Sequence, residues 1–215
     1  PGAGTTDLST VEIRGGQAQI QVTKGRSNLG GRRCDMALIE VVAGIAKASG
    51  IDIETVKNPS TLHEFHEKVE RAKHTLTQAE RAPFYINMEG KILKAELSRS
   101  DFERACLPIL TEMKDLIRET LLAAKLEAKD VKGILLNGPS CQMPMIVAML
   151  NEAIPGVQLL HDVDPVTAVA QGTALYAAKC VQQDGKEAIS KTGTKIRSLD
   201  AVASLRAVST HALGC

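Results

Sequence analysis

Val69-Glu70-Arg71-Ala72-Lys73-His74-Thr75-Leu76-Thr77 is apolar at positions 69, 72 and 76 and polar between them, the spacing of one buried helix face. Leu62 and Phe65 carry the same stripe upstream. The spacing predicts a helix over 60–77, with Ser60 as its N-cap and Glu64 and Glu67 toward its positive end. Glu70, Lys73, His74 and Thr77 then stand at i, i+3, i+4 and i+7 and share a second face. Two meanings are open to that face. It is a solvated surface laced by ion pairs at helical spacing, or it turns an acid, an amine, an imidazole and a hydroxyl toward one polar ligand.

Upstream, Met36, Ile39, Val42, Ile45 and Ala46 recur at helical spacing between Leu29-Gly30-Gly31 and a stop at Gly50. The chain opens on a glycine-bearing turn, Pro1-Gly2-Ala3-Gly4-Thr5. Two alternating runs, 6–13 and 17–24, joined by Arg14-Gly15-Gly16, predict a hairpin. Downstream, 84–88 and 91–97 around Glu89-Gly90 predict a second hairpin. Ser98 with Asp101 reads as a capping box opening a helix to about residue 125, with Phe102, Leu107, Ile109, Leu110, Met113, Ile117 and Leu121 inside. The apolar run 133–136, bounded by Asn137-Gly138-Pro139-Ser140, predicts a strand buried on both faces and followed by a ligand-facing turn. A helix over 145–154, a strand over 157–160, an Ala-rich helix over 165–181 and a flexible polar tail complete an α/β pattern.

A hydrophobic content of 44% supports a substantial core. The 26 basic and 25 acidic residues cancel, so no net field draws the chain to nucleic acid or to an anionic membrane, and neither is expected as a partner. With no Trp, two Tyr and three Phe, there are few platforms for stacking bases. No run of about 18 apolar residues exists to span a bilayer. Five cysteines without a C-x-x-C pair fit a reducing compartment better than a disulfide framework or a zinc site, so a cytoplasmic location and no metal ligands are expected. His63, His66, His161 and His211 lack ligand spacing and read as surface residues. The opening at Pro1 without Met reads as a chain cut from something larger.

Nearly end to end, these segments resemble the second lobe of the ATP-binding domain of the seventy-kilodalton heat-shock chaperone (DnaK-type) family. Residues 1–7 are similar to its second phosphate loop, Asp-Leu-Gly-Gly-Gly-Thr-Phe-Asp, where glycine lets backbone N–H groups approach phosphate. Leu29-Gly30-Gly31 followed by Asp35 resembles Leu-Gly-Gly-Glu-Asp-Phe-Asp, with Arg32 and Arg33 replacing the acidic pair. The helix around Glu70 to Thr77 is similar to Cys-Glu-Arg-Ala-Lys-Arg-Thr-Leu-Ser, and Ser98 to Glu103 to Thr-Arg-Ala-Arg-Phe-Glu. Residues 137–144 stand where the family has Val-Gly-Gly-Ser-Thr-Arg-Ile-Pro, and 164–174 where it has Asn-Pro-Asp-Glu-Ala-Val-Ala-Tyr-Gly-Ala-Ala.

The resemblance implies nucleotide contacts at Gly2, Gly4, Thr5, Gly31, Glu70, Lys73, His74, Thr77, Gly138, Ser140 and Gln142. It implies an actin-like (ribonuclease H-like) ATPase lobe, a mixed sheet flanked by helices, from residues 1–30 and 108–182. Residues 31–107 would form an inserted helical subdomain with a small antiparallel sheet, the part gripped by exchange factors, and 183–215 a tail leading toward the interdomain linker. ATP or ADP with Mg²⁺ is the implied cofactor of the parent protein. Its implied partners are a nucleotide-exchange factor, J-domain co-chaperones and unfolded client proteins. No catalytic residue is carried over, and the chain alone is expected not to hydrolyse ATP.

Four departures favour an alternative, a pseudo-ATPase scaffold of the ribosome-associated type that binds nucleotide weakly or not at all. Pro139 replaces a glycine and is expected to block backbone approach to nucleotide, because it lacks a donor. Gln142 replaces an Arg that lies over the base, Val166 replaces an aspartate, and 202–206 replace the acidic linker. His74, in place of another Arg, is shorter and largely uncharged at neutral pH. A sugar- or glycerol-kinase-like enzyme on the same superfamily fold is a third reading, which the helix around Glu70 to Thr77 opposes.

Overall fold

Gly50 has φ +74° and Gly90 φ +93°, and these two left-handed positions close the first helix and the second hairpin. The computed structural model describes residues 2–14, 17–160, 164 and 167–183. Expectations that fall on Pro1, Gly15, Gly16, His161, Pro165, Val166 and residues 184–215 lie outside the described residues.

Both predicted hairpins form. Thr5–Arg14 (β1) pairs antiparallel with Gln17–Ser27 (β2), with an irregularity between Thr10 and Val11. Arg81–Met88 (β3) pairs antiparallel with Lys91–Ser98 (β4) across Glu89 and Gly90, both at positive φ as a two-residue hairpin turn requires. Along β3, Ala82, Phe84, Ile86 and Met88 are buried while the residues between them face water, the period of two in its plainest form.

Gly31–Ala48 (α1) ends in a Schellman motif: Gly50 N–H donates to Lys47 O at 3.0 Å, Ile51 N–H donates to Ala46 O at 2.9 Å, and Ile51 is buried. Pro59–Gln78 (α2) contains the predicted helix, but its N-cap is Asn58 rather than Ser60. The Asn58 side chain accepts from Ser60 N at 2.9 Å, and Pro59 occupies the first turn, where its missing N–H costs nothing. On α1 the buried face is Cys34, Ala37, Leu38, Val42 and Ala46, and Met36 projects outward.

The single helix expected from 98 to about 125 is two. Arg99–Ala105 (α3) starts as read, with the Ser98 side chain accepting from Asp101 N–H at 3.1 Å. It stops at Cys106, whose N–H closes onto Phe102 O and Glu103 O, and Leu107–Ala123 (α4) begins anew. Pro108 is the reason: without an N–H it fits a first turn and cannot continue a helical ladder. Leu107, expected inside, is exposed at this break.

Gly133–Leu135 (β5) pairs parallel with Gln158–Leu160 (β6). Among the described residues the mixed sheet is present as separate pairs, β1–β2 and β5–β6, so β5 is half-buried rather than covered on both faces. Pro144–Ala153 (α5) and Ala168–Gln183 (α6) follow the predicted helices closely. The chain is thus a mixture of helices and small sheets.

One apolar cluster joins these elements, with Leu38, Val42, Phe65, Val69, Leu76 and Ile86 all but sealed from water. Fully burying a side chain of this size contributes about 1.5–3 kcal/mol before entropy is counted. Phe65 and Phe84 meet edge to face at 6.1 Å, joining α2 to β3. Around the cluster α1 packs on α2, α3 and β4, while α4 packs on β1, β2 and α5. The ends that matter for function therefore meet where β1, α1, α2 and the β5–α5 turn come together.

Candidate functional site

The first turn of α1 has no side-chain cap; the opening loop caps it instead. Gly31 N–H donates to Gly2 O at 3.0 Å, and Arg32 N–H donates to Ala3 O at 2.7 Å. Gly30 is extended, a conformation any residue adopts, so its glycine is a matter of space. A Cβ there would lie 2.7 Å from Gly2 O and 3.0 Å from Ala3 O, both rigid backbone atoms. Ser140 completes the junction, its hydroxyl donating to Gly2 O at 3.2 Å, and a Cβ on Gly31 would lie 2.6 Å from that Ser140 Oγ. Behind it the buried Thr6 hydroxyl donates to Leu29 O at 2.5 Å.

Gly2, Gly31 and Ser140, predicted from three distant segments, thus meet around one carbonyl oxygen. Gly4 faces open space, since a Cβ there would meet nothing within 4 Å. Among the described residues the N–H groups of Ala3 and Gly4 have no acceptor. Thr5 turns its hydroxyl to Asp7 at 3.2 Å.

The turn after β5 is built on a glycine and a proline. Gly138 has φ +94°, and Pro139 opens a 3-10 turn over Pro139–Gln142, a first-turn position at which its missing N–H leaves nothing unpaired. Pro139 is exposed and does not keep Ser140 from the junction. Gln142 is exposed too, whereas Cys141 is buried with its thiol donating to Asn137 O at 3.1 Å.

The α2 stripe is divided. Lys73 is only 12% exposed, and its ammonium lies 2.6 Å from Asp35 Oδ1 of α1. No aligned hydrogen-bond donor reaches that oxygen, so the ammonium charge is what compensates its burial. Thr77 caps its hydroxyl onto Lys73 O at 3.1 Å and, with Leu76, Arg99 and Phe102, borders a shallow groove whose other wall is Met143, Pro144 and Met145. The end of α2 therefore faces, across this groove, the segment that follows the Pro139 turn. Glu70 and His74 instead face solvent, 61% and 68% exposed, 3.9 Å apart.

Asp35 as the anchor of Lys73 was missed from the sequence, because helix spacing pairs residues within one helix and says nothing of the neighbouring one. Arg33 likewise pairs across the fold, with Glu112 of α4 at 2.6 Å. Its hydrogen bond holds the Glu112 carboxyl below the usual carboxylate range, burial opposing, and raises the guanidinium further.

The family model described as Hsp70 protein matches residues 1–190. The chain belongs to this family. It is 31% identical over 179 residues to the heat shock cognate HSP70 protein of Trypanosoma brucei brucei, covering 82% of this chain and 26% of that protein. It is 29% identical over 180 residues to the ribosome-associated molecular chaperone SSB of Candida glabrata, covering 82% and 29%. It is 31% identical over 183 residues to the chaperone protein DnaK 1 of a Synechococcus strain, covering 82% and 24%. The chain thus spans 24–29% of the length of these curated relatives. Among the described residues no helix is long and apolar enough to cross a membrane.

Proposed function

We propose that this chain is the second lobe of the nucleotide-binding domain of an Hsp70-type chaperone, with the actin-like ATPase fold of its family, and that the glycine junction receives the phosphates of ATP or ADP. The observation that carries this is the convergence of Gly2, Gly31 and Ser140 on one carbonyl, beside the unpaired N–H groups of Ala3 and Gly4. Two adjacent free backbone donors with open space in front of Gly4 suit a phosphate oxygen, which needs donors and tolerates no Cβ. Thr5, Gly138, Lys73 and Thr77 are assigned to the phosphate and ribose end. Glu70, His74 and Gln142 are exposed and are assigned to the nucleoside edge.

The nucleotide with its Mg²⁺ supplies the electrostatic chemistry of phosphoryl transfer when bound. This chain's own residues orient and bind: backbone N–H groups at the loop hold charge, and the Lys73–Asp35 pair keeps an ammonium at a fixed place. No described residue is assigned as a catalytic base, so hydrolysis requires groups from the other lobe, and the chain alone is proposed to be inactive. Residues 1–30 with 108–182 are assigned to the lobe's core and 31–107 to the subdomain that an exchange factor grips. J-domain co-chaperones, unfolded clients and a cytoplasmic location are proposed on the same footing, by membership of the family.

The second reading, a scaffold that has lost nucleotide, is favoured by Gln142 and His74. Both are exposed, and His74 is matched only by Glu70. Calorimetric titration of the full-length protein with Mg-ATP and Mg-ADP separates the two. Saturable heat at one nucleotide per chain supports the nucleotide-binding lobe; a flat titration supports the scaffold.

A further inference from the structure

Asn137-Gly138 follows β5 and opens the turn that brings Ser140 to the glycine junction. Asn137 is exposed, and among the described residues its carboxamide has no hydrogen-bond partner. The Gly138 N–H likewise donates to nothing among them, since the β5–β6 pairing ends at Leu135. The hydrogen bonds that shape the turn use carbonyl oxygens instead. Cys141 N–H donates to Gly138 O at 3.1 Å, and the Cys141 thiol donates to Asn137 O at 3.1 Å. Gly138, at φ +94°, has no Cβ to shield its nitrogen. A side-chain amide and a backbone nitrogen able to attack it are therefore neighbours, and neither is held.

The other four asparagines are each restrained. Asn58 caps α2 through Ser60 N–H and precedes Pro59, which has no N–H to attack with. Asn87 accepts from Gly90 N–H at 2.9 Å. Asn151 and Glu152 lie inside α5, where backbone N–H groups are committed to the helix, and Asn28 precedes Leu29, whose side chain is sealed from water.

We infer that Asn137-Gly138 is a self-modification site, at which the folded chain converts Asn137 to aspartate and isoaspartate through a succinimide.

Gly138 N–H loses its proton to a solvent base, and the charge spreads onto Asn137 O, where the Cys141 thiol already donates. The nitrogen attacks Asn137 Cγ, a C–N bond forms, the bond from Cγ to the amide nitrogen breaks, and ammonia leaves with a proton returned from solvent. Water then opens the ring at either carbonyl. Opening at Cγ yields aspartate; opening at the backbone carbonyl yields isoaspartate, with one extra methylene in the main chain. No oxidant or reductant enters. Either product carries a carboxylate three residues before Ser140. On the nucleotide reading, on which this consequence alone rests, the new charge opposes an anionic ligand at the junction.

The test ages the folded full-length protein in a mildly alkaline buffer beside the same protein unfolded in urea, with digestion and mass spectrometry at intervals. In the folded sample the peptide holding Asn137 is expected to gain the mass of an amide-to-acid exchange at a rate of the same order as in urea. Chromatography should resolve it into aspartyl and isoaspartyl forms, the second in excess, while the peptides holding Asn28, Asn58, Asn87 and Asn151 stay unchanged. N137Q should abolish the gain at this position and bring methyl transfer by an isoaspartyl methyltransferase to background. If N137Q fails to fold, the comparison of folded and unfolded parent protein decides alone. An Asn137 peptide that changes in urea but not in the folded protein, or a gain spread evenly over all the asparagines, overturns the inference. A mass gain without saturable nucleotide heat leaves this inference standing and counts only against the nucleotide reading.

Discussion

The glycine junction and the α2 stripe are built on opposite principles. At the junction, Gly30 and Gly31 leave no room for a Cβ, and backbone atoms of the opening loop and the start of α1 touch directly beside the Ser140 hydroxyl. Along the stripe, four polar side chains share a helix face, yet Lys73 is held by Asp35 while Glu70 and His74 stand in water. Steric exclusion places an atom within a few tenths of an ångström; helical spacing places only the root of a side chain and leaves its aim to neighbours. The junction is therefore where this chain is rigid, and the outer half of the stripe is where it is adaptable.

Substituting Gly30 with Val should have the largest effect. The new side chain meets two backbone oxygens that cannot yield separately, and a loss of about 1–3 kcal/mol is expected from overpacking, read as a fall in urea midpoint. A midpoint unchanged by G30V would break the contrast at its strong end. G31A should cost less, because its Cβ meets the Ser140 hydroxyl, a side-chain atom. A double-mutant cycle with S140A should show the two substitutions coupled, with G31A better tolerated once the hydroxyl is gone. Additive losses would mean that Ser140 does not press on Gly31.

Lys73 lies between the two regimes. K73M removes the cation beside a partly buried carboxylate and should cost roughly 1–2 kcal/mol, well short of a fully buried pair because Asp35 keeps some contact with water. D35N should restore part of the loss in the K73M background. For H74A and E70A, both exposed, changes within about 0.5 kcal/mol are expected in the same assay.

A pH series sharpens the picture from another side. The Glu112 carboxyl is lowered in the folded state by Arg33, so its contribution is present above the ordinary carboxylate range and is lost as pH falls through the folded value. E112Q should accordingly lower stability slightly at neutral pH, leave it little changed below the folded value, and so flatten the acid limb. The effect is the smallest of these, because the pair lies near the surface.

Much of this was readable from residue order. Period-two alternation with Glu89-Gly90 located β3 and β4, and the stripe through Leu62, Phe65, Val69, Ala72 and Leu76 located α2, because burial imposes those periods directly. The helix break at Cys106 was hidden, since apolar residues of α3 and α4 continue at three-and-four spacing across it; Pro108, tolerated only in a first turn, was the available signal. Pro139 stands at the start of a 3-10 turn, where the same tolerance leaves no N–H unpaired. The half-burial of β5 could not be read, because a three-residue apolar run says nothing of how many strands lie beside it. At the site, glycine positions were legible and the partners of charges were not, since Asp35 and Glu112 reach Lys73 and Arg33 from other helices.

The central claim is that the junction is the phosphate end of a nucleotide site, and amide spectroscopy addresses it directly. The ¹⁵N–¹H resonances of the isotope-labelled full-length protein would be followed while Mg-ADP is added. Large shifts confined to Ala3, Gly4, Thr5, Gly31 and Ser140, with Lys73 and Thr77 responding less, are predicted. Saturable binding that leaves the Ala3 and Gly4 amides unmoved would contradict the account.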